Sequence, residues 1–161
     1  MLQIRKAETT DREDVWSILK NIIEKGDAYA FSPDTPKEEM LNWWFAPEKH
    51  TYVATDDDKV TGTFVIKDNQ PGLGSHIANA AYAVSPDVRG KGTGKEMGAF
   101  SLKEAKKLGY RAMQFNLVVK TNESAVSLWK NLGFEIIGEI PEAFKHAELG
   151  YVNAYIMYQK L

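Results

Sequence analysis

The spacing of apolar residues changes along the chain between a helical and an extended period. Four segments have the helical spacing, and we predict helices at 11–25, 36–45, 94–108 and 124–132. The first helix is expected to begin at a capping box formed by Thr10 and Glu13. The second is expected to begin at a box formed by Thr35 and Glu38, with Pro36 at the first helical position.

Seven other segments predict strands, at 2–7, 51–55, 60–66, 77–84, 112–119, 134–140 and 151–158. The first alternates only weakly, and the segment 77–84 is rich in small residues. A loop is expected between the last two strands, from Pro141 to Gly150. The middle strands follow one another as hairpins, whereas others are separated by helices. This order predicts an α/β fold of the α+β type: a mixed, mostly antiparallel central sheet of about seven strands with helices on both faces. No linker or repeat interrupts the 161 residues, so a single domain spanning 1–161 is expected.

Composition and charge exclude several classes of function. The net charge is −2, so no general basic surface for nucleic acid or membranes is expected. The chain has no cysteine, which rules out a thiolate nucleophile or a thiolate metal site. Its histidines, His50, His76 and His146, are too scattered for a metal site, and of these His76 lies beside a central strand. The first residues have no apolar core of a signal peptide, and no apolar run approaches the length of a membrane span, which predicts a cytoplasmic protein.

One segment, from Val84 to Lys95, indicates the chemical class of a ligand. It joins a predicted strand to a predicted helix and combines three glycines with three cations: Gly90, Gly92 and Gly94 with Arg89, Lys91 and Lys95. A glycine loop at a helix N-terminus presents backbone N–H groups that bind phosphate-type anions. A tight turn with solvated basic residues would also explain isolated glycines, but the alternation with cations favours an anion site.

Two common phosphate-binding patterns do not fit this loop. A dinucleotide fingerprint that begins at Gly92 would need glycine where Met97 stands, and one that begins at Gly90 would need it at Lys95. A Walker A loop would need glycine at Arg89 and a hydroxyl residue at Glu96. The remaining pattern is Arg-x-x-Gly-x-Gly after a Val-x-Pro strand end.

That pattern resembles the acyl-CoA pyrophosphate loop of the GCN5-related N-acetyltransferase superfamily. A second motif of this superfamily, Asn-x-x-Ala-x-x-Leu-Tyr-x-x-x-Gly-Phe, is matched between Asn122 and Phe134, with Ala125, Leu128 and Gly133 in place. The resemblance covers about residues 77 to 134 and implies the acyl-CoA N-acyltransferase fold, with acetyl-CoA as cosubstrate and no metal. It implies a CoA site made of Tyr82, Val84, Arg89, Gly90, Lys91, Gly92, Thr93, Gly94, Lys95, Asn122, Ser124 and Trp129.

The family's fold implies where the thioester lies. The strand before the glycine loop is expected to bulge and to splay from the next strand, leaving a cleft for the acyl group. Backbone N–H groups near Tyr82 to Val84 would then polarise the acyl carbonyl. Trp129 departs from the family pattern, since many members carry there a tyrosine whose hydroxyl is proposed to protonate the leaving thiolate. An indole cannot serve as that acid, so Trp129 is expected to be core or cofactor-packing surface.

Two asparagines interrupt apolar strands on the expected cleft walls and are our candidate catalytic residues: Asn79 and Asn116. If buried, each amide needs hydrogen bonds, because an unpaired one costs ~1–3 kcal/mol. The amides either fix the backbone at the splay or orient an amine, a carboxylate or a water. Neither can act as a general base, and the glutamate that some relatives use on this strand is missing. Aromatic residues at 29, 31 and 43–45 are either core or a lid over a small substrate.

The segments 26–31, 69–76 and 115–118 resemble a branch of the family that contains fungal acetyltransferases of proline analogues such as azetidine-2-carboxylate. The predicted function is acetyl-CoA-dependent N-acetylation of a small amine or amino acid, by direct attack on the thioester in a ternary complex. A catalytically weak CoA-binding module or sensor, and a protein or peptide N-acetyltransferase, remain open as alternatives. The stretch from Tyr151 to Tyr158 could supply a hydroxyl to the cleft or a homodimer contact.

Overall fold

The computed structural model describes all 161 residues, arranged as seven strands and four α-helices. The strands are β1 (Gln3–Lys6), β2 (His50–Asp56), β3 (Lys59–Asp68), β4 (Ile77–Val84), β5 (Ala112–Val119), β6 (Glu135–His146) and β7 (Gly150–Lys160). The helices are α1 (Arg12–Lys25), α2 (Lys37–Trp44), α3 (Thr93–Lys107) and α4 (Glu123–Asn131). Short 3-10 turns lie at Thr9–Asp11, Gly72–Gly74 and Pro86–Val88.

The seven strands form one sheet in the order β1-β2-β3-β4-β5-β7-β6. Every neighbouring pair is antiparallel except β4 and β5, which run parallel. The crossover between these two parallel strands contains α3, as is usual for a parallel connection. The predicted mixed, mostly antiparallel sheet is therefore confirmed.

Helices cover both faces of this sheet, as predicted. On one face, Met97 of α3 and Trp129 of α4 pack with Phe64 of β3 in a cluster of 14 buried residues. On the other face, α1 and α2 pack on Val65 in a cluster of 12, and the predicted apolar stripe of α1 is buried throughout. Because the side chains of neighbouring residues in a strand point to opposite faces, Phe64 and Val65 pack in the two hydrophobic cores on opposite sides of the sheet.

Both predicted capping boxes are wrong. Asp11 is the residue before α1, and its carboxylate accepts hydrogen bonds from the Arg5 guanidinium and from the backbone N–H of Glu8. This pairing places a 3-10 turn where the box at Thr10 was expected. Pro36 immediately precedes α2, and the Thr35 hydroxyl instead donates to the carbonyl oxygen of Ser32.

The predicted loop from Pro141 to Gly150 is also wrong, because β6 continues to His146 and leaves only a short turn before β7. The pairing of β6 with β7 shifts register between Ile140 and Phe144, where Glu142 has a φ of 49°. Strand β6 is the edge of the sheet. An edge strand tolerates proline at such an irregularity, since no further strand requires its N–H.

Candidate active site

A wedge-shaped opening separates the two parallel strands at the centre of the sheet. Strands β4 and β5 pair only at Ile77–Ala112 and Ala78–Met113 and then diverge. The predicted splay is thus present, but the predicted bulge in β4 is not, because the register between β3 and β4 is unbroken from Gly62 to Asp68. The bulge lies in β5, where pairing with β7 shifts by one residue between Phe115 and Val118.

The backbone of β4 presents polar groups to this wedge. Antiparallel pairing with β3 uses alternate residues, and the bonds Asn69 N–H to Ile77 C=O and Ser85 N–H to Thr61 C=O show that the odd-numbered residues of β4 face β3. The peptide groups of even-numbered residues beyond Ala78 therefore face the opening: Ala80, Tyr82 and Val84. These are N–H groups of the kind that polarise a thioester carbonyl.

The glycine loop has the geometry of an anion site. Gly90 and Gly92 have φ values of 77° and 88°, which few other residues adopt. The backbone N–H groups at five positions donate to no acceptor within the protein: Gly90, Gly92, Thr93, Gly94 and Lys95. Three of these are the free first-turn donors of α3, where the helix dipole also favours negative charge.

A cleft of about 530 Å³ lies beside this loop and contains most of the predicted CoA-binding residues. It is lined by Tyr82, Val84, Arg89, Gly90, Gly92, Thr93, Gly94, Asn122, Ser124 and Trp129. Lys91 and Lys95 do not line it, and Lys95 instead faces a separate cleft between β1 and α3. Arg89 is thus the cation of the loop that reaches the predicted pyrophosphate site.

Helix α4 forms the opposite wall of the cleft. The Asn122 side chain caps this helix by accepting from the Ala125 N–H at 3.4 Å, as predicted from its position before the helix. Trp129 is 8% exposed, and its ring centroid lies 4.7 Å from those of both Tyr82 and Phe115. The indole is therefore packing surface shared by the core and the cleft, as its chemistry predicted.

A second cavity, of about 330 Å³, adjoins the cleft and is called here the acceptor cavity. Residues common to both linings mark the junction: Ala28, Tyr29, Tyr82, Asn122, Ala125 and Trp129. Both candidate catalytic residues, Asn79 and Asn116, line the acceptor cavity. Of the aromatic residues left open between core and lid, Phe31 and Trp43 line this cavity, whereas Trp44 is fully buried.

Asn69 connects the two candidate catalytic residues, a contact that sequence reasoning missed. Its side-chain oxygen accepts from Asn79 Nδ2 at 3.0 Å and from Asn116 Nδ2 at 2.7 Å. Asn79 lies on β4 and Asn116 on β5, so one carbonyl oxygen bridges the wedge. Asn79 is half-buried, but Asn116 is exposed and does not need partners in the way that a buried amide would.

The tyrosines Tyr29 and Tyr82 line both cavities, and each residue is half-buried. The Tyr82 hydroxyl is 2.6 Å from Ser101 Oγ on the face covered by α3, away from the wedge, and burial raises its pKa. Burial also raises the pKa of Tyr29, whose hydroxyl is faced by the backbone N–H of Tyr82. Among the histidines, His146 rather than His76 reaches the cleft.

Comparisons with known proteins agree with this geometry. The sequence profile of the Acetyltransferase (GNAT) family matches residues 16–134. An N-acetyltransferase of Schizosaccharomyces pombe, aca1, is 38% identical and aligns with 94% of this chain and 83% of its own length. The chain therefore belongs to the GNAT family and is an acetyltransferase; this membership supports acetyl-CoA as the acetyl donor.

Solved structures have the same fold. A GCN5-related N-acetyltransferase from Kribbella flavida superposes with a TM-score of 0.94 at 38% identity, over 99% of this chain and 98% of the other. A phosphinothricin acetyltransferase from Sinorhizobium meliloti, solved in complex with acetyl-CoA, has a TM-score of 0.87 at 21% identity, over 99% of this chain and 88% of its own. The acyl-CoA N-acyltransferase fold is thereby confirmed.

Neither a metal-ligand cluster nor a membrane-spanning helix is found in the structure. No group of three or more His, Asp or Glu side chains is arranged so that it could hold a metal ion. None of the helices has the length and apolar character needed to cross a bilayer.

Proposed function

We propose that the protein transfers the acetyl group of acetyl-CoA to the nitrogen of a small amine or amino acid, by direct attack within a ternary complex. The observation that carries this proposal is the pair of adjoining cavities at the β4–β5 wedge. One contains the row of free N–H groups for a pyrophosphate, and the other is a smaller cavity of about 330 Å³. Their junction at Tyr82 and Trp129 is where thioester and amine would meet.

The polar groups of the wedge suit the two charges that develop during attack. The N–H groups that face the wedge would bind the oxygen of the thioester as it becomes negative. On the acceptor side, Asn79 donates to Asn69 through Nδ2, and its Oδ1 has no partner within the protein. That oxygen can accept a hydrogen bond from the attacking amine and so hold its lone pair toward the thioester carbon.

No carboxylate or imidazole, the usual general bases, lines the acceptor cavity. The amine would therefore attack as the neutral species or lose its proton to water. The thiolate of CoA can leave without a general acid, because thiol pKa values lie near 8.5. A chain without cysteine offers no thiolate for an acetyl-enzyme intermediate, which favours direct transfer.

Thiol release from acetyl-CoA, measured over a panel of amino acids, polyamines and a lysine-containing peptide, tests the proposal. We expect turnover with small amino acids or amines, and intersecting double-reciprocal plots when both substrates are varied. Parallel plots would contradict the ternary complex. Turnover with the peptide alone would favour a peptide acetyltransferase, the class named for a Salmonella typhimurium relative that is 27% identical over 86% of each chain.

Stabilisation by CoA separates the enzyme from a binding module. CoA at about 100 times its Kd adds roughly 2.7 kcal/mol to the free energy of unfolding. A shift in melting temperature without turnover of any amine would leave a catalytically weak CoA-binding module. The absence of any shift at millimolar CoA would contradict both functions.

The variant Asn79→Ala tests the role of the amide. We expect kcat to fall ~10- to 100-fold, because a misplaced acceptor loses the near-attack geometry, while the Kd for CoA stays within twofold. Asn131→Ala, on the exposed end of α4, is the matched control. If kcat is unchanged in Asn79→Ala, the residue only fixes the backbone at the splay.

A further inference from the structure

The acceptor cavity is lined by a positive charge and by no negative charge. Its 18 lining residues include one charged side chain, Lys67, and no carboxylate. Lys67 forms no ion pair with any other residue. The neighbouring carboxylate, Asp68, lies on the other side of β3 and accepts a hydrogen bond from Tyr110 at 2.7 Å. The cavity thus has an uncompensated positive charge.

The position of Lys67 relative to Asn79 is defined by the sheet. The two residues are directly opposite one another in the β3–β4 register, so their side chains leave the same face of the sheet. Both line the acceptor cavity. An acceptor whose amine contacts Asn79 would therefore place an adjacent substituent within reach of the long Lys67 side chain.

A second lysine adds to the positive field at this end of the cavity. The Lys49 ammonium lies 3.3 Å from the centroid of the Trp43 ring, which is part of the cavity wall. Burial lowers the pKa of Lys49 to about 8; the charge of Glu48 opposes this shift, and repulsion from Lys67 acts in the same direction as burial. The two ammonium groups are therefore close enough to interact, and an anion between them would relieve that repulsion.

We propose that the acceptor carries an anionic group, such as a carboxylate, next to its amine, and that Lys67 is the specificity-determining residue that binds this group. The inference rests on the proposed acetyl transfer and narrows its acceptor class. Polyamines and other cationic amines would meet an unpaired ammonium in a cavity without acids, so they are disfavoured. An amino acid places its charges as the site requires, with the amine at Asn79 and the carboxylate at Lys67.

The experiment compares each amino acid of a panel with its own primary amide, which has nearly the same shape but no negative charge. Initial rates of thiol release give kcat/KM for both acceptors with the wild type, Lys67→Met and Lys67→Arg. The effect of a substitution is taken within one acceptor, so the different amine pKa values of acid and amide cancel. Lys107→Met, at the exposed end of α3, is the control variant.

For the amino acid, we expect Lys67→Met to lower kcat/KM roughly 10- to 150-fold, the range for a lost hydrogen bond to a charged group. For the amide, the same variant should stay within threefold of wild type. Lys67→Arg should retain most of the activity on the amino acid. The Kd for CoA and the melting temperature of each variant show whether the fold is intact, and Lys67→Arg decides the question if Lys67→Met is unstable.

Two results would overturn the inference while leaving acetyl transfer in place. One is an equal loss of kcat/KM on acid and amide in Lys67→Met, which would make Lys67 structural. The other is a wild type that acetylates cationic or neutral amines and no amino acid. Failure of the proposed function itself is distinguishable, because the wild type would then release no thiol with any acceptor.

Discussion

The bridge that Asn69 makes across the wedge predicts a separation between stability and catalysis. In Asn69→Ala, two hydrogen bonds of 3.0 and 2.7 Å are lost. A net contribution of ~0.5–1.5 kcal/mol applies to each bond, and water can reach the freed amide of exposed Asn116, so we expect the low end. A total of about 1 kcal/mol corresponds to a fall in melting temperature of roughly 2–4 °C for a chain of this size.

The effect of Asn69→Ala on the reaction should be much larger than its effect on stability. Without Asn69, the Asn79 amide can rotate, and its oxygen no longer points at the attacking amine. A displacement of 1 Å in the reacting geometry can lower rates by ~100-fold, so we expect kcat/KM for the acceptor to fall 10- to 100-fold. The Kd for CoA should remain within twofold, because Asn69 does not line the CoA cleft.

The assay pairs thermal melting and CoA titration with thiol-release kinetics on an acceptor found in the amine panel. Gln70→Ala, an exposed neighbour without a side-chain hydrogen bond, is the control. Asn69→Asp keeps the accepting oxygen and should restore the melting temperature. The reasoning is refuted if Asn69→Ala retains acceptor kcat/KM within twofold of wild type. It is also refuted if CoA affinity and acceptor kcat/KM fall together, which would indicate a general loosening of the wedge.

Three further predictions concern other parts of the molecule. Arg89→Ala should weaken CoA binding roughly 10- to 150-fold in calorimetry, because the loss of a charge-assisted hydrogen bond costs ~1.5–3 kcal/mol. Lys91 lies outside the cleft, so Lys91→Ala should change the Kd by less than threefold. Equal effects of the two substitutions would show that Arg89 does not bind the pyrophosphate. In Gly98→Ala, the new Cβ would lie 3.1 Å from Cζ3 of Trp129 and 2.5 Å from a leucine methyl group at the C-terminal end of α4. This overpacking should lower the free energy of unfolding, measured by chemical denaturation, by ~1–3 kcal/mol. An unchanged denaturation midpoint would contradict the close packing of α3 on α4. The pKa of Asp11 is lowered first by its hydrogen bond to the guanidinium on β1, so its stabilisation is present above the ordinary value of 3.8 and is lost as the pH falls through the folded pKa. Asp11→Asn should therefore melt below wild type at pH 7, and this difference should shrink as the pH falls from 3.8 through the folded pKa. A difference that stays constant over this range would exclude the ionised carboxylate as the cause.

Sequence reasoning predicted the glycine loop and the cap of α4 because both are local features of the chain. The glycine loop depends on backbone conformation within a few residues, and the positive φ angles of Gly90 and Gly92 are what glycine makes possible. The cap at Asn122 is local in the same sense, since its partner is three residues away. Such patterns involve only residues that are close together in the sequence, so they can be recognised without knowledge of any tertiary contact.

The acceptor side could not be predicted in the same detail, because it is assembled from distant segments. Asn69 is 10 residues from Asn79 and 47 from Asn116, and nothing in the sequence near Asn69 indicates either contact. The capping box at Thr10 failed for a related reason: Arg5, on β1, binds Asp11 in a 3-10 turn that precedes α1. Edge position, another tertiary property, let β6 continue through Pro141.

The divergence of β4 from β5 leaves a gap in the sheet that a bound cofactor can fill. Three alternate peptide groups, at Ala80, Tyr82 and Val84, have no strand beside them although they lie in the interior of a seven-stranded sheet. An extended chain with its own amides, such as the pantetheine arm of CoA, can occupy such a gap in the manner of an added strand. Cofactor binding in this gap would complete the sheet, and each release of CoA would reopen it at its centre.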